Sequence, residues 1–173
     1  MNAPDTIHSS TVRGFLAGCQ ANGVAPADIL EQIGFSADIL TDPELRFPAE
    51  KLGELLTAIS LTLQDETLGF MDRRTTSGGL EMSIHAMISA TTLRDVVQRW
   101  IAYWGLLHSD SVSSLAVRGD EVHVVTNFLG RKVVDQSRFI TWTMFMLLRV
   151  AGWMVKKPLL LDRMLFTFDE PED

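Results

Sequence analysis

Residues Thr92–Leu107, TLRDVVQRWIAYWGLL, decide the fold. Leu93, Val96, Val97, Trp100, Ile101, Trp104 and Leu107 recur on one face of a helical period, so the stretch predicts an amphipathic helix. Thr92 suits its N-cap, and Asp95 sits where a negative charge meets the positive helix end. Trp100 and Trp104 lie on the buried stripe, with Tyr103 beside it and His108 just beyond. Such a helix fits either the wall of a ligand pocket or an ordinary core.

Downstream, Ser111–Arg118 and Glu121–Leu129 alternate in polarity and predict a hairpin at 111–129. Val122, Val124, Thr126 and Phe128 share one face of its second strand. Gly119-Asp120 fits a two-residue type II′ turn, because glycine tolerates positive φ at the first position. Next comes Phe139–Val155, FITWTMFMLLRVAGWMV, expected to start at Asp135 or Ser137. It falls short of the ~20 apolar residues a membrane span needs and contains Arg149, so a buried helix is expected. Lys156-Lys157 suit its negative end, Pro158 stops it, and Leu159–Phe168 predicts a further strand.

Upstream, Leu80–Ala90 predicts a shorter helix, preceded by the polar stretch Asp72–Gly79, which predicts an exposed loop. Pro48 is placed to open a helix whose core face is Leu52, Leu55, Leu56, Ile59 and Leu63. Two short helices, Ser10–Asn22 and Pro26–Ile33, end at Gly23 and Gly34. The pair imitates a helix-turn-helix, but the second helix carries no Arg or Lys to meet DNA. The expectation is an α+β fold: one helix-rich domain at 10–168, of about six helices with a small antiparallel sheet comprising the 111–129 hairpin and the 159–168 strand. Residues 1–9 are expected to be a disordered start and 169–173 a polar tail.

Composition narrows the function. The 173 residues are 46% hydrophobic and 21% charged, enough for one sizeable core. A net charge of −7 argues against direct contact with nucleic acid, whose affinity rests on phosphate neutralisation. The single cysteine, Cys19, excludes an internal disulfide and fits a reducing cytoplasm. No phosphate loop, nucleophile elbow or metal-ligand spacing occurs, so neither enzyme, cofactor nor metal site is expected. The candidate ligand-binding residues are His85, Trp100, Tyr103, Trp104, His108, Arg138 and Trp142. Pockets are mostly apolar with a few polar anchors, and these side chains supply both. For the tryptophans the alternative is core packing; for Arg138, a solvated helix start; for His85, a structural hydrogen bond.

One run carries a resemblance. In LEQIGFSADILTDPELRFPAEKLGELL the marks are Leu30, Gly34, Phe35, Asp42, Pro43, Arg46, Phe47 and Pro48. Asp65, Leu68 and Gly69 follow, then Gly79, Ser89, Thr91, Thr92 and Leu93. Their order resembles the amino-terminal effector domain of AraC/XylS-type transcription regulators, in the arabinose-binding branch, over about residues 10–168. The resemblance implies a domain that senses a small-molecule effector, often forms a homodimer, and controls a carboxy-terminal helix-turn-helix domain. That DNA-binding half is missing here, which implies a truncated chain or natural fragment touching DNA only through the absent domain. No effector is carried over from the resemblance.

Three readings follow. The first is a regulatory domain that binds a small effector and shifts between two conformations. The second is a ligand-independent protein–protein or dimerisation module using the apolar helix Phe139–Val155. The third is a small enzyme, which converging histidine and carboxylate side chains would revive.

Overall fold

The computed structural model describes residues 5–129 and 136–169. The expected helix start at Asp135 lies outside them. Strand β1 (Thr6–His8) pairs antiparallel with β2 (Arg46–Pro48), Ile7 opposite Phe47. This corrects the expectation of disorder through residue 9. Phe47 is fully buried, and the ladder carries Ile7 against the same core.

Helix α1 (Ser9–Ala21) starts where the His8 ring accepts from the Ser10 amide. Helix α2 (Pro26–Gln32) has proline in its first turn, and a single 3₁₀ turn, Ala37–Leu40, is capped by Ser36. Pro48 ends β2 rather than opening a helix. A second 3₁₀ turn, Ala49–Lys51, then leads into α3 (Leu52–Leu63). Val12, Leu16, Ile29, Leu30, Leu55 and Ile59, all within 1% of full burial, form the first core. Helix α1 lies so close to the turn after α3 that a Cβ at Gly18 would overlap the Leu68 carbonyl oxygen.

Helices α4 (Gly79–Met87) and α5 (Leu93–Leu107) begin the second half. Thr92 caps α5 by accepting from the Asp95 amide, as its sequence implies. Strands β3 (Ser111–Arg118) and β4 (Glu121–Phe128) form the expected hairpin, with Val117 opposite Val122. Gly119 has φ of 64° and Asp120 is not among the positive-φ residues, as type II′ requires. Helix α6 (Ser137–Val155) runs past both halves. Its start packs Phe139 and Trp142 on the first core, and its end packs Leu147, Val150 and Ala151 on a second core with Met87, Val96 and Trp100. Lys156 closes α6 in a left-handed conformation. Among the described residues, no helix is long and apolar enough to cross a membrane.

The strand expected at Leu159–Phe168 does not form. A strand needs a neighbouring edge to complete its hydrogen bonds, and this segment has no ladder partner in either two-stranded sheet. Leu159 packs on the second core, while Leu160 and Leu165 stand exposed. The α+β class therefore stands, with six helices and two separate two-stranded sheets among the described residues and no strand at 159–168.

Candidate functional site

The two cores do not fuse. Between them lies a cavity of about 70 Å³, walled by α5, α6, the inner face of the hairpin and the turn after α3. Trp100, Trp104 and His108 reach it because they recur one helical turn apart along α5 and its C-cap. The Trp100 and Trp104 rings lie 5.6 Å apart, and the Trp104 and His108 rings stack 5.7 Å apart at 17°. From α6 come Phe139, Trp142, Thr143, Met144 and Met146. Alternation along β3 and β4 turns Ser111, Ser113, Thr126 and Phe128 to the same space. The Ser113 and Thr126 hydroxyls meet across the strands at 2.9 Å.

A polar chain runs from the first core to this cavity. The carboxyl oxygens of buried Asp65 accept from the Thr67 amide and hydroxyl, the Gly69 amide and the Thr75 amide, at 2.7–3.0 Å. They fix a turn in which Leu68 takes φ of 57° and Gly69 φ of 80°. The Thr75 hydroxyl meets His108 Nε2 at 2.7 Å. Glu66 lines the cavity, but its two oxygens accept from the Gly78 and Leu80 amides at the start of α4. It is thereby held as a brace for that helix.

His108 is 1% exposed, and burial pushes its pKa below the ordinary value. Arg73 acts in the same direction, while Asp110 and Asp65 oppose it. Although His108 Nδ1 is 3.8 Å from Asp110 Oδ1, a depressed pKa leaves the ring neutral at pH 7, so the contact is not an ion pair. Asp110 instead accepts from the Asp72 amide at 2.8 Å. Two buried side-chain polar atoms among the described residues have no hydrogen-bond partner: Trp104 Nε1 and His108 Nδ1. Both belong to side chains of the cavity wall. Among the described residues, no cluster of three or more His, Cys, Asp or Glu is arranged to hold a metal ion.

The family model for the arabinose-binding domain of AraC transcription regulators, N-terminal, matches residues 23–173. The chain belongs to this family. No curated protein and no solved structure matches the chain. The family is one of regulatory ligand-binding domains and not of enzymes.

Within this regulatory domain, four of the seven candidate residues converge on the cavity: Trp100, Trp104, His108 and Trp142. The other three point elsewhere. His85 is exposed on α4, its Nε2 3.7 Å from Glu81. Tyr103 donates its hydroxyl to the Gly79 carbonyl at 2.8 Å and helps tie α5 to α4. Arg138 donates to the Ser10 hydroxyl at 2.9 Å, joining α6 to α1. Sequence reasoning missed Thr75, Ser113, Thr126, Met144 and Met146. For the hairpin residues a signal existed: small hydroxyls alternate onto the strand face that also carries Phe128. For Thr75 none did, because its neighbours Asp72–Gly79 have the composition of a solvated loop.

Proposed function

We propose that this domain takes up a small-molecule effector in the cavity between α5, α6 and the hairpin. The observation that carries the reading is a coincidence of place. The side chains that carry the two unpartnered buried polar atoms also wall the cavity, in a chain of an effector-binding family. A buried donor without a partner costs about 1–3 kcal/mol, a penalty that a bound ligand relieves.

The cavity is small. An apolar cavity of roughly 150 Å³ admits benzene, and ligand pockets usually span roughly 300–1,000 Å³. A volume of about 70 Å³ therefore represents a closed form. Met71, Met144 and Met146 line it, and unbranched thioether side chains repack at little cost. The effector binds an opened form better and shifts the population toward it. In the regulator, acting in the cytoplasm, that shift changes how a helix-turn-helix half is presented to DNA.

The test is a thermal-shift screen of amino acids, sugars, fatty acids and small aromatics, followed by promoter binding with the full-length regulator. A ligand at 100 times its Kd stabilises by about 2.7 kcal/mol. Sensing is wrong if no class stabilises the domain and promoter affinity responds to none of them.

A second reading has its own support. Phe145, Trp153 and Leu160 are 52%, 64% and 94% exposed and line one groove along the end of α6. A contiguous apolar face of this kind suits pairing with a second copy. Sedimentation of the wild type and Trp153→Asp tests it; identical monomeric profiles at high concentration would remove dimerisation through this face.

A further inference from the structure

We propose that the effector site continues from the cavity into a cleft beneath residues 161–167, that Met144 is the movable partition between the two, and that the occupant is an elongated molecule with an apolar outer arm. The inference rests on the effector reading above and names the extent and shape of that same site.

The cleft holds about 220 Å³ and lies between residues 125–128 of β4, helix α6 and the segment 161–167. Three residues border both it and the cavity: Thr126, Phe128 and Met144. Each space alone is smaller than the roughly 300 Å³ at which ligand pockets begin, and joined they approach it. The shared residues differ in their freedom to move. The Thr126 hydroxyl is held by Ser113 at 2.9 Å. The Phe128 ring meets Phe139 edge to face, centroids 6.3 Å apart. Both stand on a strand paired along its length with β3. Met144 is an unbranched thioether on α6, and such a side chain changes rotamer at little cost. Its rotation opens the way from one space to the other.

The outer wall is movable too. The segment 161–167 belongs to neither sheet, so it swings from β4 without breaking a ladder. Arg163 meets Glu121 at 3.6 Å, but the side chains are 68% and 47% exposed, and a pair in that setting contributes little. Leu161, Met164, Leu165 and Phe166 line the cleft with Leu147 and Leu148 of α6. A compact molecule fills the cavity alone. An elongated one fills both spaces and lays its apolar arm along these side chains.

The experiment uses two probes on the wild-type domain: xenon, which enters small apolar cavities, and 1-N-phenylnaphthylamine, an elongated apolar dye. Methionine-methyl ¹³C NMR reads where each binds, with signals assigned by Met71→Leu, Met144→Leu and Met164→Leu. Met71 borders the cavity and not the cleft, and Met164 the cleft and not the cavity. The dye is expected to shift Met71, Met144 and Met164 together, and xenon to shift Met71. Met144→Ile stiffens the partition at nearly constant volume. It is expected to weaken the dye about tenfold and leave the xenon shift at Met71 in place. A dye that shifts Met71 or Met164 without the other, or neither, would overturn the joined site. A xenon shift at Met71 would then leave the cavity reading standing, and its absence would bring that reading down as well. Equal dye affinity in the wild type and Met144→Ile would overturn the role given to Met144. The wild-type pattern decides the joined site even if Met144→Ile does not fold.

Discussion

The first core and the cavity region are built from similar residues, yet they treat polar groups in opposite ways. Around α1, α2 and α3, buried polarity is fully engaged: Asp65 alone accepts four hydrogen bonds. Around α5 and α6, two buried nitrogens go without partners and a cavity separates the cores. A saturated network holds one geometry, because any other leaves donors unpaired. The proposed function reads the saturated half as a scaffold and the unsaturated half as the responsive one.

Five substitutions, one of them read through a pH titration, test this division. The largest effect is expected at Asp65. Asp65→Ala strands three backbone amides and a hydroxyl in a buried turn, at a cost of about 3–5 kcal/mol in urea unfolding. A loss under about 1 kcal/mol would end the claim that this network is the scaffold's anchor.

Glycines give the next pair. Gly18→Ala would drive a methyl into the Leu68 carbonyl and within 3.1 Å of the Phe70 ring, costing about 2–3 kcal/mol. Gly105→Ala, on α5 with open space where its Cβ would be, should instead stabilise by up to about 1 kcal/mol. If both changes had the same sign, the close packing of α1 on the turn would be refuted.

The pH effect is smaller. His108 has a folded pKa depressed from its ordinary 6.5, so below about pH 6.5 the unfolded chain binds a proton that the folded chain refuses. This group's stability is complete above that pH and is lost as pH falls toward the folded value. The slope is at most about 1.4 kcal/mol per pH unit. His108→Gln should flatten the profile below about pH 6.5; an unchanged profile would show that His108 is not the titrating group.

The smallest stability change is expected at the cavity wall. Ser111→Val adds apolar bulk toward the cavity from a strand position that favours β-branched residues. Stability should rise by about 0.5–1 kcal/mol, or a few degrees in Tm, while probe binding falls. A rise in stability with binding intact would place the ligand elsewhere.

Much of this division was legible in the chain itself. The period of Thr92–Leu107 announces α5, the alternation around Gly119-Asp120 announces the hairpin, and both carry local causes. So does the convergence of Trp100, Trp104 and His108, which follows from helical spacing alone. Other features depend on partners distant in sequence. Thr6–His8 is a strand only because Arg46–Pro48 returns beside it. Leu159–Phe168 has strand-like residues and no edge to join. Thr75 looks like loop and is 5% exposed, because Asp65 draws its amide inward. Tyr103 and Arg138 were candidates for a ligand, and their polar ends join neighbouring elements instead.

Helix α6 has a mechanical consequence. A continuous helix from Ser137 to Val155 is a stiff rod about 28 Å long. Its first turns are clamped by Phe139 and Trp142 in the scaffold, while Met144 and Met146 border the cavity midway. Its later turns are held as well, by Leu147, Val150 and Ala151 on the second core, so one rigid element ties both cores, the cavity wall and the exposed groove beside Trp153 together.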